Sequence, residues 1–243
     1  MGVFSLMIQY IAPPFIITSP ITSYADQIRS MHLQRSSRGF SLDTPLIMLV
    51  SSILRVFYWF GADFQISLLI QAILTIGVQL TLLKVALDHR PPPDVSPFST
   101  VASSSRPYSF WQWRSQRPYW TFLVYFVIAT AFLQLLLGKS QTWVDALGYI
   151  ALGIEATLPL PQVFANEKGR SCQGFRVSVL TMWLIGDAMK MVYFWTGDKI
   201  GTQFKLCAGV QMVFDMYLGV QFLRFGAGPI TKKEEEMKEM QVL

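Results

Sequence analysis

Apolar residues along this chain are grouped into seven long stretches, separated by short polar or basic segments. A helix needs about 20 predominantly apolar residues to cross a hydrocarbon layer of about 30 Å, and most of the stretches reach that length. The pattern therefore predicts seven membrane-spanning helices joined by short connections. The predicted spans cover residues 5–30, 42–60, 65–87, 119–137, 142–165, 175–195 and 201–225.

Two of the predicted helices contain prolines. We expect the first to be broken by Pro13, Pro14 and Pro20, and the fifth by Pro159 and Pro161. Proline removes a backbone N–H and kinks a helix, and in a membrane the freed carbonyl is tolerated only against protein or a water-lined cavity. Both helices should therefore be hinged near one face of the membrane, which is typical of a transport path. A simple packing kink is the alternative.

The chain is internally duplicated. A shift of 135 residues matches Gln27, Ser36, Gly39, Phe40, Tyr58 and Asp63 to Gln162, Ser171, Gly174, Phe175, Tyr193 and Asp198, and Arg55 to Lys190. A single helix between two three-helix units gives both units the same orientation, so the duplication predicts a parallel repeat. We expect a first repeat over residues 1–88, a cytosolic linker over 89–118, a linker helix over 119–138, a second repeat over 139–226 and a charged tail over 227–243.

Composition and charge agree with a membrane protein. Hydrophobic residues make up 52% of the chain and charged residues only 14%, against about a quarter in soluble domains. The net charge of +5 does not indicate nucleic acid, because the basic residues lie in the connections between apolar stretches. Fifteen of them fall on one side of the predicted membrane, against Lys139 and Lys199 on the other. The positive-inside rule then places the N-terminus in the lumen and the C-terminus in the cytosol.

The longest connection has two parts. It begins with three consecutive prolines from Pro91, and its composition is typical of a flexible linker. It ends in FWQWRSQRPYW, which is both aromatic and basic. We interpret this end as an interfacial anchor, with a cytosolic docking site for a partner as the alternative.

Few residues indicate enzymatic or metal chemistry. Cys172 lies in a predicted loop and Cys207 in a helix, so no disulfide or metal site is expected. His32 and His89 are predicted to be isolated in loops. The sequence contains no nucleophile elbow and no phosphate-binding loop, and we expect no enzymatic activity, cofactor or metal.

Ionisable residues inside the predicted spans are the strongest functional signal. Such a residue costs a few kcal/mol at mid-bilayer, so it should face the protein interior or a hydrated groove and be paired. Asp187 and Lys190 have the spacing to pair along one helix. The sequence leaves the partner of Arg55 open between Asp26 and Asp215. Glu155 has no basic residue one turn away and precedes the prolines of the fifth span, which favours a functional role.

The segments that carry these residues resemble a known family. EATLPLPQVFANEKGRSCQGF and MWLIGDAMKMVYFW resemble the PQ-loop family, which includes cystinosin-type lysosomal transporters and, more distantly, the sugar-transporting SWEET proteins. SSILRVFYWFGADFQISLLIQ, FWQW and GDAMKMVYFW are similar to one branch, the endosomal and trans-Golgi PQ-loop proteins whose fungal members antagonise phospholipid flippases. The first repeat departs from the motif, because Asp26 and Gln27 stand where the family has Pro-Gln.

The resemblance implies an all-α membrane protein of two three-helix bundles joined by a linker helix. For this branch it implies energy-independent phospholipid scrambling in endosomal and trans-Golgi membranes. It further implies opposition to a P4-type flippase and support of bulk lipid transfer at the cytosolic face. Phospholipids are the expected partners, and nucleic acid is not.

Our leading hypothesis is that a lipid headgroup slides along one polar groove while its tails stay in the bilayer. The side chains assigned to this path are Asp26, Gln27, Arg55, Glu155, Pro161, Gln162, Asp187, Lys190 and Asp215. The alternative is a proton-coupled transporter of a small solute such as an amino acid, with Asp187 or Glu155 as the proton site. A third hypothesis is a non-transporting adaptor that acts through FWQW.

Overall fold

The computed structural model describes residues 3–37, 41–90, 110–170, 172, 177–197 and 200–226, and these contain helices and no β-strand. The predicted fifth span appears as two consecutive helices, α5 and α6, and each other span as one. The elements are α1 (Val3–Gln34), α2 (Asp43–Ala62), α3 (Ile66–Asp88), α4 (Arg117–Leu137), α5 (Gln141–Ala156), α6 (Leu160–Gly169), α7 (Val177–Thr196) and α8 (Thr202–Phe225).

The helices form two bundles and a linker, which confirms the predicted arrangement. In the first bundle α3 packs against both α1 and α2, and in the second α8 packs against α5, α6 and α7. Helix α4 packs against α2 and leaves most of its own surface exposed. The two bundles contact each other through two pairs of helices: α2 packs against α5, and α1 packs against α7.

Five helical segments in the described residues are long and apolar enough to cross a membrane. They are Asp43–Ala62, Ile66–Asp88, Arg117–Leu137, Gln141–Lys168 and Thr202–Phe225. Many of their large apolar side chains point outward, as on the outer face of α4, where Tyr125, Phe132 and Leu135 are exposed. A helix that is apolar on its outer face is stable against lipid rather than water.

The bundles are joined by close helix contacts and aromatic packing. A Cβ on Gly61 would overlap the Val144 side chain, and one on Gly148 would lie 2.7 Å from the Tyr58 ring. The α2–α5 contact therefore depends on these two glycines, as small residues let membrane helices approach closely. The Phe204 ring lies edge-on to the first bundle's Phe64, with 4.9 Å between centroids.

The predicted helix breaks are found in only one of the two bundles. The fifth span is interrupted at Thr157–Pro159, between α5 and α6, as expected. The predicted break in the first span is wrong, because α1 continues through Pro13, Pro14 and Pro20.

A hydroxyl group explains why α1 continues through Pro20. Pro20 cannot donate to the Ile16 carbonyl four residues earlier, and the Ser19 hydroxyl donates to that carbonyl instead, at 2.8 Å. Serine and threonine side chains are among the groups that make proline tolerable in a membrane helix.

The FWQW segment is packed against the first bundle. Trp111 is 1% exposed and donates its indole N–H to the Leu42 carbonyl at 2.7 Å. The Tyr119 hydroxyl donates to the carbonyls of Trp111 and Trp113 at 3.2 and 3.1 Å. The segment thus fastens the start of α4 to α2, and Trp111 is buried rather than at an interface with lipid.

Some predictions fall outside the described residues. These concern the linker over 91–109, the tail over 227–243, and the repeat matches at Gly39, Phe40, Ser171, Gly174, Phe175 and Asp198.

Candidate functional site

A buried ion pair joins the two bundles. Arg55 on α2 and Glu155 at the end of α5 are 2.9 Å apart from Nη1 to Oε2, with side chains 4% and 12% exposed. Neither Asp26 nor Asp215 is the partner of Arg55, so that expectation is wrong. Sequence could not identify this pair, because Glu155 lies 100 positions away on the other bundle.

A small polar cavity lies beside this pair. Its volume is about 20 Å³, and its polar lining includes Arg55, Glu155, Lys190, Gln71 and Gln211. A cavity needs about 10–15 Å³ to hold one water molecule, so this one is water-sized and does not admit a solute or a headgroup.

The lining of the cavity follows the internal repeat. Arg55 and Lys190, which the duplication matches, approach it from α2 and α7. Gln71 and Gln211 approach it from α3 and α8, the third helices of the two bundles. The Lys190 ammonium lies 3.5 Å from the Gln211 side-chain oxygen.

A second charged cluster lies within the second bundle. The Lys190 ammonium is 3.6 Å from Asp187 Oδ1, which is the spacing the sequence predicts. Asp215 on α8 is 1% exposed, and its carboxyl group lies close enough to Asp187 and Lys190 to interact electrostatically with both. The Asp187–Lys190 pair thus interacts with the Asp215 carboxyl group, and this interaction links α7 to α8.

Gln162 belongs to a hydrogen-bond network at the end of the second bundle. Its amide donates to Asn166 at 2.7 Å, and Asn166 donates to Gln221 on α8 at 3.3 Å. Gln221 in turn donates to the Val163 carbonyl at 3.1 Å and to Glu167 at 3.2 Å. The network holds α6 against α8, while the neighbouring Pro161 is exposed.

Asp26 and Gln27 lie elsewhere, on the exposed surface of α1. Asp26 is one of four exposed polar residues spaced one turn apart, a row that we call the α1 polar face and that consists of Thr18, Thr22, Asp26 and Ser30. Residues four apart lie next to one another on a helix, so the four side chains form a continuous row about 18 Å long.

The contacts between α1 and α3 show how far along the membrane-spanning α3 the α1 polar face extends. Ser37, just after α1, donates its backbone N–H to His89 at the end of α3, at 3.0 Å. Tyr24, between Thr22 and Asp26, interacts with Gln79 of α3. The row therefore runs from about the middle of the membrane-spanning α3 to its C-terminal end.

The residues assigned to one groove therefore occupy separate places. Arg55, Glu155, Asp187, Lys190 and Asp215 are in buried or partly buried contacts, Gln162 is in the α6–α8 network, and Asp26 and Gln27 are exposed on α1. In the described residues these side chains do not line a single open groove. The ion pairs are formed because a buried charge without a partner is costly.

Several residues that matter here were not predicted from the sequence. Gln71 and Gln211 interrupt otherwise apolar helices, and that pattern could have identified them. Thr18 and Thr22 are uncharged, so a search for ionisable residues passed over them. Their spacing of four from Asp26 is the signal that indicates a shared face.

The cysteines and histidines lie in separate surroundings in the described residues. In the part of the chain that the structure describes, no three His, Cys, Asp or Glu residues cluster with metal-binding geometry. His32 lies in the last turn of α1 and contacts His89, with 5.5 Å between ring centroids, so these two residues are not isolated as predicted. Burial raises the pKa of the Cys172 thiol in the α6–α7 connection, which keeps it protonated.

Comparison with known proteins agrees with this arrangement. The family model described as "PQ loop repeat" matches residues 143–199, which include the α5–α6 break, Glu155 and the Asp187–Lys190 pair. This segment of the second bundle is therefore similar to a PQ-loop repeat. The predicted resemblance is confirmed, and the repeat covers the part of the second bundle that faces Arg55.

A relative and a structure extend the comparison to most of the chain. The chain is 28% identical to the protein named Scramblase ANY1 of Saccharomyces cerevisiae, over 90% of this chain and 71% of that protein. A structure of a eukaryotic SWEET transporter superposes with a TM-score of 0.65, covering 92% of this chain and 97% of that one at 10% identity. The second likeness concerns the fold alone, and the fold is that of two three-helix bundles with a linker helix.

Proposed function

We propose that this PQ-loop protein is a phospholipid scramblase, which exchanges lipids between leaflets without an energy source. The observation that carries the proposal is the α1 polar face, a row of polar side chains exposed on the outside of a membrane-embedded bundle. The similarity to Scramblase ANY1 supports the same function.

The physical reason is the cost of moving a headgroup through hydrocarbon. A zwitterionic headgroup carries a phosphate and an amine, and each loses its hydration inside the bilayer. Asp26 and the hydroxyls of Thr18 and Thr22 offer acceptors to the amine, and the exposed Arg29 offers a cation to the phosphate. The lipid tails remain in the bilayer throughout, so only the headgroup needs these contacts.

The α1 polar face begins near the middle of the membrane, where the barrier is highest. Its hydroxyls donate to carbonyls of α1 itself, as Thr18 does to Pro14 at 2.8 Å, and their lone pairs remain acceptors. Pro14 is exposed one turn before Thr18, and because it has no N–H it leaves the Tyr10 carbonyl without its usual helical donor. This carbonyl continues the row of acceptors towards the other leaflet.

Lipid exchange in vesicles tests the proposal. The protein is reconstituted with a fluorescent phospholipid in both leaflets, and a membrane-impermeant reductant is added outside. Wild type should make the inner-leaflet fluorescence accessible. Replacing Thr18 and Thr22 by Val should slow exchange about threefold per hydroxyl, since a hydrogen bond in a membrane is worth about 0.6 kcal/mol. Asp26→Leu should slow it further.

A matched control uses the linker helix. Thr121 on α4 is also exposed, and Thr121→Val should leave the exchange rate unchanged. Equal rates for wild type and the Thr18, Thr22 and Asp26 variants would contradict the assignment of the path. Wild-type protein that exchanges no lipid would contradict the function itself.

The cellular setting is part of the proposal. We infer that the protein acts in endosomal and trans-Golgi membranes, opposes a P4-type flippase and supplies lipid to transfer proteins at the cytosolic face. The support is the resemblance to the fungal branch and the concentration of basic residues on one side of the helices. In vesicles with an active flippase, added protein should dissipate the lipid gradient. Tags on the termini should show the N-terminus in the lumen and the C-terminus in the cytosol.

A proton-coupled transporter is the second candidate. It is favoured by the central cavity, which is lined by Glu155 and Lys190 and lies between bundles with a SWEET-like fold. Transport would require this cavity to enlarge from its volume of about 20 Å³. Uptake of amino acids driven by a pH gradient, in vesicles that show no lipid exchange, would favour this candidate.

A further inference from the structure

An apolar groove opens on the outside of the first bundle, on the opposite side of α2 from the second bundle. Helices α2, α3 and α4 form its walls, its volume is about 520 Å³, and every lining side chain is apolar. Pockets that hold small ligands have volumes of about 300–1,000 Å³. The groove arises because α4 is fastened to α2 mainly at its start, through Trp111, Tyr119 and Leu123.

The groove is about one leaflet deep. On α4 it is lined from Trp120 to Ile128, a rise of about 12 Å. One leaflet of a hydrocarbon layer about 30 Å thick has about that depth. An empty apolar space loses dispersion contacts along all its walls, so hydrocarbon should fill it.

Two cations stand at one end of the groove. On α4, Arg117 continues the row formed by Trp120 and Val124, at spacings of three and four residues. On α3, Lys84 continues the row formed by Ile76 and Leu80, at a spacing of four. Both cations are exposed, and residues spaced in this way share one face of a helix.

The row on α3 and the row on α4 end at the same height along the bundle. The Gln116 amide, next to Arg117, donates to Asp88 at 2.9 Å, and Asp88 lies one turn after Lys84. Asp88 is the acidic group at this end of α3, and this bond engages it. In the described residues no carboxylate lies within 4 Å of the Lys84 or Arg117 cations.

We propose that the groove is a phospholipid-binding site, with one acyl chain between α3 and α4 and the phosphate at Lys84 and Arg117. The depth of the groove matches the chain of one leaflet, and the charge of its rim matches a phosphate. A sterol would fill the groove but would leave both cations without a partner. The indole of Trp120, between cations and groove, has the position that tryptophan favours at a membrane interface.

Photo-crosslinking tests the proposal. The protein is reconstituted in vesicles of phosphatidylcholine and phosphatidylserine that contain a trace of phosphatidylserine with a diazirine on one acyl chain. After irradiation, labelled positions are mapped by mass spectrometry. Label should concentrate on the groove residues of α3 and α4, relative to Val213 and Leu223 on the exposed face of α8. Equal labelling of both surfaces would mean annular lipid only and would overturn the proposal.

Variants test the phosphate contact and the acyl-chain groove separately. Lys84→Gln and Arg117→Gln should each lower groove labelling about fivefold, as each cation near a membrane surface contributes about that factor. Val124→Trp should block the groove, whereas Tyr125→Trp, which places the same side chain at the next exposed position, should leave labelling unchanged. Both positions face outward, so neither change should disturb folding.

The remaining outcomes are also decisive. A diazirine fatty-acid methyl ester, which has no phosphate, should label the groove weakly and independently of Lys84 and Arg117. Labelling by this ester equal to that by the phospholipid would contradict the phosphate contact. Because the readout is labelling rather than lipid exchange, it can be repeated in the Thr18 and Thr22 variants, and failure of the scramblase proposal would leave it intact.

Discussion

The Arg55–Glu155 pair offers the sharpest test of how the two bundles are held together. Glu155→Gln keeps the shape of the side chain and removes its charge, which leaves the Arg55 guanidinium buried without a counter-ion. Removing one partner of a buried ion pair costs about 3–5 kcal/mol. For a chain of this length, 243 residues, each kcal/mol corresponds to about 2–4 °C in melting temperature. We expect the melting temperature to fall by about 6–20 °C.

The assay is thermal unfolding of the purified protein in detergent, followed by the fluorescence of its seven tryptophans. Glu167→Gln is the matched control, because the Glu167–Arg170 pair is 3.7 Å long with side chains 39% and 65% exposed. An exposed pair contributes at most about 1 kcal/mol, so this change should lower the melting temperature by no more than about 4 °C.

A double variant shows whether stability is lost because Arg55 has no counter-ion or because a polar side chain has been removed. Arg55→Met with Glu155→Met removes both charges and keeps similar side-chain volume, so it should recover most of the stability lost in Glu155→Gln. Equal melting temperatures for Glu155→Gln and Glu167→Gln would refute the reasoning. So would a double variant less stable than Glu155→Gln alone.

Two further predictions concern other contacts. Gly148→Ala should lower the melting temperature, because the new Cβ would lie 2.7 Å from the Tyr58 ring and overpacking costs about 1–3 kcal/mol. Gly153→Ala on the same helix meets nothing within 4 Å and should not lower it; a similar loss in both variants would show that the α2–α5 contact is not the cause. Asp215→Asn should be tolerated or stabilising, since the amide provides a donor for the Asp187 carboxylate and removes a neighbouring carboxyl group. A large loss of stability on thermal unfolding of this variant would contradict the unfavourable interaction between the Asp187 and Asp215 carboxyl groups.

Helix positions were predictable because hydropathy acts locally. The predicted second span, 42–60, differs from α2 (Asp43–Ala62) by two residues at most, and the predicted seventh, 201–225, from α8 (Thr202–Phe225) by one. In a bilayer the backbone must satisfy its own hydrogen bonds, so an apolar stretch of sufficient length has no alternative to a helix. The Asp187–Lys190 pair was predictable for a similar reason, as both residues lie on one turn.

The course of α1 was not predictable from its prolines. Whether a proline breaks a membrane helix depends on which groups bond the freed carbonyl. Here the Ser19 hydroxyl donates a hydrogen bond to the Ile16 carbonyl, which Pro20 leaves without its usual donor. Helix α1 therefore continues through Pro20. In the fifth span, Pro159 and Pro161 cannot donate to the carbonyls of Glu155 and Thr157, which instead accept from the backbone N–H groups of Leu158 and Leu160 at 3.1 and 3.0 Å. These bonds span three residues rather than four, and the α-helix is interrupted between α5 and α6.

By itself, the sequence determined the membrane class, the duplicated three-helix units and the residues that had to find partners, because these follow from hydropathy, spacing and the cost of a buried charge. Only the tertiary structure decided that Arg55 pairs with Glu155, that Asp215 joins Asp187, and that Asp26 stays outside in a row with Thr18 and Thr22. The reason is that pairing across two bundles, and the side of a helix that remains uncovered, depend on how the helices are arranged in space. No local pattern along the chain contains that information.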